Sequence, residues 1–419
     1  MKLSDFFKSK VFENISALML LQIGNYAIPV LVMPYLIKTL GIEGFGVYSF
    51  VLAISMNLVI LIDYGFSIYG AKVISIAREK KSEVSQLYSS IQFIKVSLLT
   101  VILLIYFLLI NGFDFFEENR SVYLLSFLVI IGQTIIPVWF FQGMENMKFI
   151  TIVNLSIRTG FAFLVFVFVK EESDLNLVMF AQGVSYLAAG LLSVVIARFS
   201  FGNKLVKPKA NVLRDLINGS KHVFISTFSI GVFRNINTII IGFVLGDYAV
   251  GFYSAAEKII RAIQSMISPI SSAIFPNLSF KFTNLSYRES IDELVKISKY
   301  VFGFVLLVLT VTIVSEPIIY SILKITYSEF SKVYFVLSSL IVFGSMNNLL
   351  GISGLINLGF QQKFSRITII GGVVNVLLSI ILITFLGAIG VAFSLVISEI
   401  IVFLLVLIEL KSIYAIPNE

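Results

Sequence analysis

The chain has 419 residues, 58% of them hydrophobic, and a mean hydropathy of +0.98, well above the roughly 45–50% apolar content of globular proteins. A soluble fold of this length has no polar surface to cover that excess, so the composition excludes one and points to an integral, polytopic membrane protein. No cysteine and a single histidine exclude thiolate metal sites, disulfides, cysteine nucleophiles and histidine-dependent triads, and the net charge of +7 is explained below by topology rather than by nucleic acid.

About 20 apolar residues cross the hydrocarbon of a bilayer, and runs of that length are candidate spans. Twelve are expected, at approximately 13–37, 45–66, 87–110, 121–141, 149–169, 176–198, 221–244, 250–275, 299–322, 332–357, 365–386 and 388–409. The first apolar run is too long for a cleaved signal and lacks a small-x-small exit. Pro29, Pro34, Pro137, Pro269 and Pro276 would kink their helices. Trp139, with Phe140, Phe141 and Tyr123, is expected to belong in part to an interfacial aromatic belt.

Lysine and arginine in the flanking loops set orientation. Of 31 basic residues, 21 fall in cytoplasmic segments if the N-terminus is inside, five fall outside and five within spans. Both termini are therefore expected in the cytoplasm. The longest basic connector, 199–220, follows the sixth span and divides the chain into an N-terminal bundle, 1–205, and a C-terminal bundle, 206–419.

The halves echo one another. Leu40-Gly-Ile-Glu-Gly-Phe-Gly-Val-Tyr-Ser49, between spans one and two, shares its frame with Leu245-Gly-Asp-Tyr-Ala-Val-Gly-Phe-Tyr-Ser254, between spans seven and eight. A weaker version, Leu386-Gly-Ala-Ile-Gly-Val-Ala392, joins spans eleven and twelve. Glycine-rich turns recur for local reasons, yet agreement at equivalent topology points to a parallel duplication. The fold class is all-α: two pseudo-symmetric bundles of six transmembrane helices around a central cavity.

A charge in mid-bilayer costs roughly 2.5–3.5 kcal/mol on insertion scales and usually faces a cavity. Arg158, Arg234 and Arg261 lie near mid-depth, and Lys258 adjoins them. Tyr253, Glu257, Arg261, Gln264/Ser265, Ser268 and Ser271/Ser272 recur every three or four residues and make one polar stripe on span eight. Thr227, Gly231, Arg234 and Asn237/Thr238 do the same on span seven, as do Thr151, Asn154 and Arg158 on span five. Glu257 and Arg261 can pair at i,i+4, and Glu399 could neutralise another arginine. The deep cations Arg158, Arg234, Lys258 and Arg261 still outnumber the anions Glu257 and Glu399, so an anionic ligand is expected, and arginine suits phosphate. Asn154, Asn237, Gln264 and Ser268 are the expected polar lining. Asn347, Asn348, Asn375, Gln22 and Asn25 read more as interhelical glue than as ligand contacts. Asp63 and Lys95 are expected to snorkel at the inner interface, and His222 to lie at the cytoplasmic surface.

Several stretches resemble bacterial O-antigen flippases of the Wzx type: Val138-Trp-Phe-Phe-Gln-Gly-Met-Glu-Asn-Met-Lys148, His222-Val-Phe-Ile-Ser-Thr227, Arg234-Asn-Ile-Asn-Thr238, Gly251-Phe-Tyr-Ser-Ala-Ala-Glu-Lys258, and Pro269 with Phe275-Pro276. Pro34-Tyr35, Leu40-Gly41 and Asp63-Tyr-Gly-Phe66 are similar too. The match covers essentially the whole chain.

The resemblance implies a member of the multidrug/oligosaccharidyl-lipid/polysaccharide exporter superfamily. Such a protein is a transporter and not an enzyme, and it sits in the bacterial inner membrane. Its substrate would be an oligosaccharide repeat unit on undecaprenyl diphosphate, moved to the periplasmic leaflet with H+ or Na+ coupling and no bound cofactor or metal. Glu257 and Glu399 are the candidates for that coupling. A polymerase and a chain-length regulator of the same pathway would be partners, and nucleic acid would not. A lipid II-type flippase is the nearest alternative. A drug/cation antiporter should show an anionic cavity, and a polysaccharide polymerase long charged outer loops.

Overall fold

The computed structural model describes residues 10–283, 285–323 and 327–415, with side chains from residue 28 onward except at 226, 229–230, 232–234, 268–270, 272–273, 276–277 and 327. Every regular element among the described residues is helical. Eight helical stretches are long and apolar enough to cross a membrane. Two of them, Ile28–Ala77 and Gln361–Tyr414, are long enough to cross it twice. The chain is an integral membrane protein with an all-α fold.

In chain order the helices are α1 (Lys10–Asp63), α2 (Phe66–Ala77), α3 (Lys81–Gly112), α4 (Arg120–Ile135), α5 (Val138–Gly143), α6 (Met147–Phe168) and α7 (Leu175–Phe199). There follow α8 (Ala210–Leu245), α9 (Asp247–Phe282), α10 (Tyr287–Val314), α11 (Glu316–Leu323), α12 (Tyr327–Ser338), α13 (Leu340–Asn347) and α14 (Gln361–Tyr414). A π-helical stretch, Asn348–Ile356, continues α13.

The repeated Leu-Gly pairs make one kind of turn. Gly41 breaks α1 at φ 73°, Gly246 precedes α9 at φ 82°, and Gly387 breaks α14 at φ 61°. A side chain at such φ is strained, so glycine lets each helix reverse without a loop. The Tyr-Ser pair of the repeated frame also behaves alike. Tyr48 and Ser49 are buried, as are Tyr253 and Ser254.

The chain forms two compact units, Met1–Asn235 and Ile236–Glu419. In the first, α4 and α7 pack closely because Gly132 presents no Cβ; one built there would stand 2.6 Å from the Leu187 nitrogen. Helix–helix contact of this kind is how apolar helices associate where no water drives them together.

Two expectations are corrected in this unit. Trp139, Phe140, Phe141 and Tyr123 are not an interfacial belt: all four are buried, Trp139 to 1% exposure, and the first three share a core with Tyr88, Ile74 and Phe66. The reason lies at Pro137. Ile136 leaves the helix, and the six-residue α5 turns its aromatic residues inward against α2. Lys95 does not snorkel either. Its side chain is 5% exposed, and Nζ reaches Asp63 Oδ1 at 3.2 Å while Asp63 Oδ2 accepts the Ser67 N–H.

The basic connector is tied down along part of its length. Ser85 Oγ accepts the Lys204 N–H at 3.1 Å and Ser89 Oγ accepts the Val206 N–H at 2.9 Å, so two turns of α3 hold the extended chain before Ala210. In the second unit, α9, α10, the π-helical stretch and α14 enclose a core that includes Leu278, Leu294, Leu350 and Val406.

Candidate functional site

On α9 the described side chains of Tyr253, Glu257, Arg261 and Gln264 follow one another at successive turns. Arg261 Nε donates to Glu257 Oε1 at 2.8 Å, and Nη2 reaches the same oxygen at 2.8 Å. The pair is the favourable i,i+4 arrangement. Glu257 is 12% exposed in its side chain and Arg261 38%, so the carboxylate is sunk and the guanidinium looks out. A guanidinium has five N–H donors. Only two are engaged here among the described residues, and a second anion can bind without displacing the first.

Glu399 of α14 lies within electrostatic range of Arg261. Its carboxylate accepts the Asn347 Nδ2 at 2.6 Å, and the same nitrogen reaches the Glu399 carbonyl at 2.9 Å. Asn347 ends α13 where the backbone widens into the π-helical stretch, a distortion that in membrane and soluble helices often marks function. Asn347 Oδ1 is buried with no hydrogen-bond partner among the described residues. Gln264, one further turn along the stripe, donates to the Leu340 carbonyl at 3.4 Å. Lys258 is half-buried beside Glu257 in sequence.

Asn237 is almost fully buried, at 2% exposure, and ties three helices together. Its Oδ1 accepts Asn375 Nδ2 at 3.0 Å and Ser379 Oγ at 3.1 Å, while its Nδ2 faces Asn375 Oδ1 and Tyr253 Oη at 3.4 Å each. Asn375 is thus glue, as the sequence suggested. Ser379 was missed, although a Ser four residues after Asn375 in an otherwise apolar run was a readable signal.

In the first unit Arg158 is half-buried on α6 and acts electrostatically on the Tyr48 and Tyr186 hydroxyls. Tyr48 stacks on Phe161 and donates to Gln182 Oε1 at 2.8 Å. No carboxylate stands within ion-pair distance of Arg158 among the described residues. Asn154, one turn earlier on the same face, donates back to the Ile150 carbonyl at 3.0 Å. The structure therefore places Arg158 and Asn154 in one unit, and Arg261, Glu257, Glu399, Gln264 and Asn237 in the other. Arg234, Ser268, Gln22 and Asn25 lie outside the residues whose side chains are described. Among the described residues no group of three or more His, Cys, Asp or Glu side chains could hold a metal ion.

Comparisons with known proteins give the family and the fold. The polysaccharide biosynthesis protein family matches residues 11–281. The "Putative O-antigen transporter" of Escherichia coli (strain K12) is 30% identical over 412 residues, covering 97% of this chain and 98% of that one. Among solved structures, an inward-facing multidrug resistance MATE family transporter of the MOP superfamily superposes with a TM-score of 0.75 at 14% identity, covering 95% of this chain and 96% of its own. The lipid II flippase MurJ, in an inward closed conformation, superposes with a TM-score of 0.71 at 15% identity, over 96% and 88% of the two chains. These last two show a shared fold.

Proposed function

The chain belongs to the polysaccharide biosynthesis protein family, and from that premise we propose that it is a flippase for lipid-linked oligosaccharide. It is a transporter rather than an enzyme. The substrate is an undecaprenyl-diphosphate-linked repeat unit of O-antigen or a similar polysaccharide, carried from the cytoplasmic to the periplasmic leaflet of the inner membrane. Both termini are cytoplasmic, and twelve spans divide into bundles 1–205 and 206–419.

The observation that carries the reading is Arg261: a guanidinium anchored on one side by Glu257 and more than a third exposed, with donors left for a diphosphate. Arg158, which has no carboxylate partner among the described residues, offers a guanidinium of the same kind in the first unit, and Arg234 and Lys258 are the further cationic candidates. Bidentate N–H donation to phosphate oxygens is the interaction arginine makes best. The sugar headgroup would use Asn154, Gln264 and Ser268, with Asn237 behind them. Glu257 and Glu399 are the proposed H+ or Na+ coupling residues, a reading supported by the electrostatic interaction of each carboxylate with Arg261. A polymerase and a chain-length regulator of the same pathway would receive the product.

Deleting the gene should leave single lipid-linked repeat units facing the cytoplasm and no surface polymer. Periplasmic glycan-modifying enzymes reaching those units in the mutant would refute flipping. Supplying a lipid II precursor in place of the oligosaccharide lipid separates the nearest alternative: transport of lipid II alone would reassign the substrate.

A further inference from the structure

A groove of about 450 Å³ in the second unit is lined by none of Arg261, Glu257, Glu399 and Asn347, and its chemistry changes from one end to the other. One wall is α10, from Ile291 to Phe302; the other is α14, from Phe403 to Tyr414; Met346 and Leu350 form the floor. The walls run antiparallel, and the 11 steps between the 12 residues of each, at 1.5 Å per step, give a length of about 16 Å. That is close to half of the roughly 30 Å hydrocarbon core, the depth of a single leaflet.

Val295, Phe302 and Leu407 are exposed along the groove, so no described residue of this chain covers them. The polar lining is gathered toward the end where α10 begins and α14 finishes. Lys411 stands there, and Lys299 stands two turns deeper on the facing helix. The Cα–Cβ bond of a helical residue leans toward its own N-terminus. Lys299 therefore leans outward toward that end and Lys411 leans inward, which narrows the difference in depth between them. Neither makes an ion pair or side-chain hydrogen bond among the described residues. Arg288 stands 5.1 Å from the ring centre of Tyr414 at the same end, and Asp292 is the single acidic residue in the lining. The mouth is positive, and the slot below it is hydrocarbon.

We infer that this groove is a binding site for an anionic phospholipid of the cytoplasmic leaflet, with the phosphate between Lys299 and Lys411 and one acyl chain lying against Phe302, Phe403 and Leu407. A basic mouth above an apolar slot between spanning helices is the arrangement that selects charged headgroups. A straight acyl chain of one-leaflet length fits the slot. A polyprenyl chain, branched at every isoprene unit and several times longer, does not, which separates this site from the one proposed for the transported lipid. The inference rests on both termini being cytoplasmic, which places the lysines at the inner headgroup level.

The test uses the purified full-length protein in detergent, titrated with phosphatidylglycerol or phosphatidylcholine and followed by thermal unfolding and native mass spectrometry. Each lysine is worth about fivefold in affinity, so phosphatidylglycerol should bind roughly 30-fold more tightly than phosphatidylcholine. The double variant Lys299→Gln with Lys411→Gln should bind both lipids alike. Leu407→Trp, which fills the slot and leaves both lysines, should lose phosphatidylglycerol as well. Equal binding of the two lipids by wild type, or a preference that survives the lysine changes, overturns the site. So does undecaprenyl phosphate displacing phosphatidylglycerol with the same dependence on Lys299 and Lys411. None of these outcomes bears on whether the protein flips oligosaccharide, which the deletion phenotype reads separately.

Discussion

Replacing Asn237 by leucine should destabilise the second unit, and replacing Asn375 by leucine as well should restore part of the loss. Leucine keeps the same branched skeleton but is larger, so overpacking adds to each single loss and the hydrogen bonding is read from the coupling between the two sites. Two of the contacts made by Asn237, at 3.0 and 3.1 Å, have sound geometry and the two at 3.4 Å are long. Interhelical hydrogen bonds in membranes average about 0.6 kcal/mol, with a maximum near 1.7, so the two good bonds are worth roughly 1–3 kcal/mol together. The single variant also leaves the Asn375 amide without its reciprocal partner at 2% exposure. With both asparagines replaced, the stranded amide is gone, and the Ser379 and Tyr253 hydroxyls can rotate to other acceptors. The double variant should therefore be more stable than the sum of the singles predicts, by about 1 kcal/mol. Unfolding midpoints in mixed micelles titrated with dodecyl sulfate measure this. Strictly additive losses would show that the two amides do not act as a pair and would refute the knot.

Three further outcomes follow from the same geometry. Arg158→Gln should abolish surface polysaccharide at unchanged protein abundance in the membrane, and Arg158→Lys should recover only part of it, because a point charge replaces a fork; full activity of Arg158→Gln in a complementation assay would remove Arg158 from the site. Breaking the Asp63–Lys95 pair with Lys95→Met should cost about 3–5 kcal/mol, and adding Asp63→Asn should return most of it, as read from the fraction of monodisperse protein surviving a heat step. Gly132→Leu drives a side chain into the backbone at Tyr186 and Leu187 and should cost about 1–3 kcal/mol or more, seen as loss of folded protein in the membrane fraction.

The elements that local sequence controls were legible. A glycine after leucine at a span junction could only reverse the chain, and Gly41, Gly246 and Gly387 all do so at positive φ. The Glu257–Arg261 pair was legible because its partners sit one turn apart on one helix. What stayed hidden is what one helix meets on another. Periodicity says that Asn237 and Lys95 lie on a polar face but not that Asn375, 138 residues away, or Asp63, 32 residues away, waits opposite. The same gap misplaced Trp139: aromatic composition suits an interface and a core equally, and the break at Pro137 decided between them. The docking of 204–206 onto Ser85 and Ser89 was hidden too, since serines four apart on a helix are common and their acceptor role depends on a loop that carries no pattern.

The arrangement around Arg261 also bears on how a flippase of this kind could release its cargo. A bare guanidinium in a low-dielectric interior would hold a diphosphate too tightly to let go, since the attraction between opposite charges grows as water is excluded. Glu257 already neutralises one side of Arg261, and Glu399 adds a second negative field from α14. Both carboxylates weaken the hold on an anion, by amounts that change when either is protonated or screened by a cation. In the proposed site, binding is then favourable with a coupling ion present and weaker once that ion leaves, which is the balance that passage across a membrane requires. Asn347 sharpens the argument. By holding Glu399 through both the carboxylate and the backbone carbonyl, it fixes the distance of that charge from Arg261, and the adjoining π-helical stretch gives the segment a second backbone spacing to move into. Asn347→Ala should therefore slow transport without removing binding. In vesicles loaded with oligosaccharide lipid, the expected signature is a lower flipping rate at unchanged substrate affinity, and a loss of affinity with no change in rate would break the link between Glu399 and release.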